Sequence, residues 1–176
     1  MNTDLKCYDL FKKFYKENEE FKKIIDENMN EKIRFFGEEE WDKIKNQNFM
    51  SPIPELKEFI DMFTLGYNIG NCGGTSRQLS YSYNDVDIVS GILPMLKGTR
   101  NAEKEGGHVW LENDKYIIDT SLMLIIDKSL KDKIGYIEEQ RITKYDLMRS
   151  TNYQARKEFT NDESLKSKRW IKYINE

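Results

Sequence analysis

Between Asp4 and about Asn28, the apolar residues Leu10, Phe11, Phe14, Phe21, Ile24 and Ile25 recur at helical spacing among lysines and glutamates, which predicts one amphipathic helix. Its aromatic stripe reads as a face docked on the chain's own core, with Cys7 buried alongside. GEEEWDKIKNQ (37–47) opens with acids suited to a helix start, Pro52 and Pro54 interrupt, and ELKEFIDMFTLG resumes the pattern, so residues 1–65 read as mainly helical. The period then changes. VDIVSGILPML (86–96) is rich in β-branched residues up to Pro94 and predicts a strand, while GTRNAEKEGG (98–107) is polar and glycine-rich and predicts a loop. In HVWLENDKYIIDT (108–120), two short apolar runs flank the turn formers Asn113 and Asp114, which predicts a hairpin. LMLII and GYIEEQRI add β-like material, and residues 144–176 read as charged helix. Helices, then strands, then helices predict one α+β domain over residues 1–176.

A hairpin turn centred between Asn113 and Asp114 sets Glu112 opposite Lys115 and, counting outward, His108 opposite Asp119. Alternation then puts Val109, Leu111, Tyr116 and Ile118 on a core face and His108, Trp110, Ile117 and Asp119 on the other. Directly opposed Cβ atoms lie about 4.5–5.5 Å apart, so Asp119 is placed to accept the Nδ1 hydrogen of the imidazole and leave Nε2 as a base. The Glu112 and Lys115 pair reads as a solvated cross-strand contact.

The totals narrow the partners. The chain has 176 residues, 34% charged residues and a formal net charge of -3, with both signs interspersed. That lacks the concentrated positive surface that nucleic acid selects. No apolar run reaches the length of a membrane span, and the charged first twenty residues do not read as a secretion signal, so a cytoplasmic protein without membrane contact is expected. Two cysteines and one histidine make a poor zinc set, and no metal or other cofactor is expected.

What remains is the stretch NCGGTSRQLSYSYND (71–85). Asn71 is a favoured N-cap, which would place Cys72 in the first turn of a helix among unpaired backbone N–H groups. A free thiol is only slightly ionised at neutral pH, so it needs a base, and His108 steadied by Asp119 supplies one. The backbone N–H of Cys72 is the candidate oxyanion donor, with the Asn68 side chain as a second. Gly73 and Gly74 lack side chains and would let a substrate backbone approach; Trp110, on the His108 face, is a candidate substrate wall. Nucleophile, base and orienter together point to thiol-mediated acyl transfer.

GNCGGTSRQLSYSY, VDIVSG and GGHVWLENDKYIIDTSLM resemble the transglutaminase-like branch of the papain-like cysteine peptidase superfamily. The likeness covers roughly Gly66 to Leu124. It implies a helix opening with Cys72, packed on an antiparallel sheet carrying His108, Trp110 and Asp119, with Cys72 as nucleophile, His108 as base and Asp119 as orienter. The reaction it implies is attack on a protein or peptide amide through a thioester. Two departures stand out: Thr120 follows the aspartate where the family often has proline, and Gly73 stands where an aromatic residue is common near the cysteine. Alternatives are a non-catalytic protein-interaction module on the same fold and acyl transfer of the arylamine N-acetyltransferase kind, whose arginine-rich signature GYNIGNCGGTSRQ lacks.

Overall fold

The computed structural model describes residues 7–29, 31–35, 72–83, 85–97, 106–149 and 153–174. The expected helices in 37–47 and 55–66 lie outside them, as do Asn68, Asn71 and most of the loop 98–107. The described part is mixed α and β, built on a six-stranded antiparallel sheet.

The N-terminal amphipathic stretch forms two helices rather than one, α1 (Cys7–Glu17) and α2 (Glu19–Asn28). The break is local chemistry: Asn18 is extended, and its side chain accepts the backbone N–H of Phe21 at 2.9 Å, capping α2. Both helices turn their apolar sides inward, burying Phe11, Phe21 and Ile25, and the Phe11 ring packs 5.6 Å from that of Phe35. Phe35 ends β1 (Ile33–Phe35).

Helix α3 (Cys72–Ser82) follows, then β2 (Asp87–Ile92) and a 3-10 turn started by Pro94. Strands β3 (Gly107–Glu112), β4 (Tyr116–Asp119) and β5 (Leu124–Asp127) form a meander. A crossover through a 3-10 turn and α4 (Lys131–Ile134) leads to β6 (Ile137–Ile142) at the far edge, giving the order β1-β5-β4-β3-β2-β6. Gly135 ends α4 in the left-handed region at φ 102, which favours glycine, and its N–H closes on Lys131 O at 3.1 Å. The C-terminal part is helical as expected: α5 (Lys144–Arg149), α6 (Tyr153–Phe159), α7 (Asp162–Lys166) and α8 (Ile171–Ile174).

The β3–β4 register differs from the sequence expectation by two residues. Leu111 pairs with Ile118 and Glu112 with Ile117, so the turn is centred one position later, between Asp114 and Lys115. The cause is the Asn113 side chain, which accepts the N–H groups of Lys115 and Tyr116 at 2.9 and 2.7 Å and makes Asn113 the first residue of the turn. A slip of two leaves every side chain on its expected face, because the strand period is two. It changes only the opposition: continued outward, the ladder sets Trp110, not His108, across from Asp119.

Both faces of the sheet are buried. Ile88, Leu111, Ile118, Ile125 and Ile142 fill one, and Val89, Trp110, Ile117, Leu124, Ile126 and Phe35 belong to the other. The second face also carries His108 and Asp119, so the candidate chemistry sits inside the core.

Candidate active site

Cys72 is the first residue of α3, where a backbone N–H has no acceptor within its own helix. Hydrogen bonds among the described residues tie this helix to the sheet. Ser76 Oγ donates to Val109 O at 3.3 Å, and the hydroxyls of Thr75 and Thr120 bond to each other. The second contact ties the turn below Cys72 to the residue that follows Asp119. Cys72 is half-buried, and both cysteines are free thiols.

Asp119 ends β4 with no exposed side-chain surface and accepts from four donors: Ser121 N at 3.0 Å and Leu122 N at 2.9 Å on Oδ1, His108 Nε2 at 2.6 Å and Tyr136 Oη at 2.7 Å on Oδ2. The two backbone donors belong to the tight turn 120–123, whose last residue, Met123, has a left-handed φ of 58. The carboxylate therefore fixes the turn as well as the ring.

The imidazole is oriented opposite to the sequence expectation. Nε2, not Nδ1, meets Asp119, because diagonal neighbours on one face are about 7–8 Å apart at Cα and the outer ring nitrogen is the one that reaches. Nδ1 is then the nitrogen left for chemistry; it is buried without a hydrogen-bond partner. Burial of the ring is the largest influence on its pKa and acts downward, but the charge and hydrogen bond of Asp119, joined by Cys72, outweigh it and lift the pKa to about 10. The Cys72 thiol is thus near enough to be felt by the imidazole, although no well-formed bond closes on Nδ1.

Behind the ring lies a layer that the sequence did not disclose. Trp110 is fully buried, its indole packed in a three-ring cluster with His108 and Tyr136 at centroid distances of 6.1 and 5.0 Å, and its Nε1 donates to Glu112 Oε1 at 2.8 Å. Trp110 therefore packs the base from behind and is not an exposed substrate wall. Glu112, expected to pair with Lys115 in solvent, has no exposed side chain and is held by Lys131 Nζ at 2.6 Å, Arg141 Nη2 at 2.6 Å and Lys128 Nζ at 3.3 Å. Burial pushes its pKa up, but Lys131, Trp110 and Arg141 together hold it below the ordinary carboxylate value. Arg141 also binds Asp87 and Glu138, so the cations are shared over several acids.

Gly73 is also buried, but not for a substrate: a Cβ there would stand 2.9 Å from the carbonyl oxygen of Thr160, at the end of α6. Gly74 lies half-buried in the same turn of α3. Cys7 comes close to the site from α1. Burial first, then the neighbouring Cys72 and Asp119, pushes its thiol up to about 12, which makes it inert as a nucleophile near neutral pH. Among the described residues no three His, Cys, Asp or Glu side chains gather as a metal site, and no helix is long and apolar enough to cross a membrane.

Comparison with protein-family models, with curated proteins and with solved structures finds no match.

Proposed function

We propose that the chain is a cysteine-dependent hydrolase or acyltransferase of the transglutaminase-like kind, acting on protein or peptide amides. The observation that carries this reading is the order of contacts: Cys72 at a helix start, influencing an imidazole whose far nitrogen is held 2.6 Å from a fully buried carboxylate. An imidazolium in that position stabilises negative charge on a neighbouring sulfur.

The reaction then runs in two balanced halves. The Cys72 sulfur, having given its proton to His108 Nδ1, attacks the carbonyl carbon, and the developing oxyanion is received by the backbone N–H of Cys72. As the C–N bond breaks, Nδ1 delivers its proton to the departing amine and a thioester remains. Water or a second amine attacks that thioester, Nδ1 takes the attacker's proton, and the sulfur leaves with the electron pair of the broken C–S bond. Asp119 keeps the ring oriented and charged when it must be.

The test uses the two thiols against each other. Intact protein is treated with iodoacetamide across pH 5–9 and the adducts are mapped. Cys72 is expected to react faster than an ordinary thiol near neutral pH while Cys7 stays unlabelled. Equal, ordinary rates at Cys72 and in a Cys72-containing peptide would remove the proposal. Peptide amides that accumulate on Cys72→Ser but not on wild type would identify the substrate.

A further inference from the structure

Thr75, Ser76 and Ser80 all carry buried hydroxyls on α3, but they direct them differently. Ser80 Oγ donates to Arg77 O at 2.7 Å, the usual bond of a helical serine within its own helix. Ser76 and Thr75 reach out of the helix: Ser76 Oγ donates to Val109 O at 3.3 Å, and Thr75 Oγ1 meets Thr120 Oγ1. Val109 is the residue after His108, and Thr120 is the residue after Asp119. The start of α3 is thus tied at two points, each one residue away from the candidate base or its acid.

Thr75 and Ser76 stand three and four positions after Cys72, on the same side of the helix. Thr75 Oγ1 also donates to Cys72 O at 3.4 Å. With its single hydrogen directed there, Thr75 receives that of Thr120, and hydroxyls run from the end of β4 to the carbonyl of the cysteine. This turn needs such ties. Between Cys72 and Thr75 come Gly73 and Gly74, the poorest helix formers apart from proline. Ser76 and Thr120 have no exposed surface and Thr75 has 7%, so solvent does not stand in for these partners.

We propose, resting on the reading of Cys72 and His108 above, that Thr75, Ser76 and Thr120 are positioning residues. Their hydroxyls clamp the glycine-weakened first turn of α3 to β3 and to the end of β4, and so hold the Cys72 sulfur beside His108 Nδ1. They act through Cys72, not on the substrate. A misplacement of about 1 Å at such a remove can cost about a hundredfold in rate.

The experiment measures iodoacetamide labelling of Cys72 from pH 5 to 9, and the NMR titration of His108, in wild type, Thr75→Val, Thr120→Val, Thr120→Ser, Ser76→Ala and Ser80→Ala. Valine keeps the shape of threonine without its hydroxyl; serine keeps the hydroxyl. Labelling at pH 7 should slow by about tenfold in Thr75→Val and Thr120→Val, within a ceiling of about thirtyfold for a thiol returned to a pKa of ~8.5. The labelling midpoint should rise and that of His108 should fall. Ser76→Ala should act in the same direction, and Thr120→Ser should keep the wild-type profile. Ser80→Ala loses an equally buried hydroxyl and should lower the melting temperature without moving either midpoint, which separates position from stability. Should the valine variants not fold, Ser76→Ala decides by the same readout. If wild-type Cys72 labels rapidly and these variants match it, or if Ser80→Ala slows it as much, the clamp is overturned and the acyl-transfer reading stands. If wild-type Cys72 labels as an ordinary thiol, both fall.

Discussion

Replacing Asp119 by Asn exchanges one oxygen for an NH2 group and tests the site at its most connected atom. Oδ1 accepts two backbone N–H groups, so the new amide keeps its oxygen there and turns its nitrogen toward His108 and Tyr136. Two donors would then face a donor. Tyr136 can rotate its hydroxyl to accept, but His108 can accept only as the neutral tautomer with hydrogen on Nδ1. Burial, no longer opposed by the carboxylate, drives the ring to that neutral form, and the nitrogen facing Cys72 stops being a base. Removing one partner of a buried pair costs about 3–5 kcal/mol, within a total of about 5–15 kcal/mol for such a domain, so the variant should still fold. The melting temperature should fall by about 6–20 °C. The assay is urea unfolding in parallel with Cys72 alkylation at pH 7. A measurable loss of stability together with a Cys72 rate reduced to that of an ordinary thiol is expected. Wild-type alkylation in a folded Asp119→Asn protein would refute the reasoning, because the base would not depend on Asp119.

The surrounding residues give further outcomes. Glu112→Gln leaves Lys131 and Arg141 facing a neutral group and should cost about 3–5 kcal/mol at pH 7 by urea unfolding. Its folded pKa is depressed, so the stabilisation is present above the ordinary carboxylate range and is lost as pH falls; the difference between wild type and variant should therefore shrink at low pH. Tyr136→Phe removes a charged hydrogen bond worth about 1.5–3 kcal/mol and strengthens the remaining hold of Asp119 on the imidazole; a His108 pKa that falls in this variant would contradict the shared use of Oδ2. Gly73→Ala gains about 1 kcal/mol of helix propensity but presses on the Thr160 backbone, an overpacking cost of about 1–3 kcal/mol, so a net loss by thermal melting is expected and an unchanged or higher melting point would show that the contact yields freely.

Much of this was legible because side-chain alternation survives an error of two. Alternation places His108 and Asp119 on one face, and they are there; the turn falls one position later than expected because Asn113, a turn former, is its first residue and not one of its central pair. That shift decides which imidazole nitrogen meets the acid. The break at Asn18 was equally readable in principle, since the residue is a favoured N-cap followed by two acids. Glu112 and Tyr136 were not. The cations around Glu112 come from positions 128, 131 and 141, and Tyr136 reaches Asp119 only because the crossover through α4 passes over the face that carries the site. Such contacts depend on strand order, and local patterning does not encode it.

His108 is the only histidine in the chain, so the imidazole 13Cε1 and 1H resonances report this ring alone. In the folded protein they should titrate far above the ordinary value of 6.5, near 10, and the midpoint should fall when Cys72 is replaced by Ser and fall further in Asp119→Asn. A midpoint at or below 6.5, or one indifferent to the loss of Cys72, would show that sulfur, imidazole and carboxylate do not work as one group.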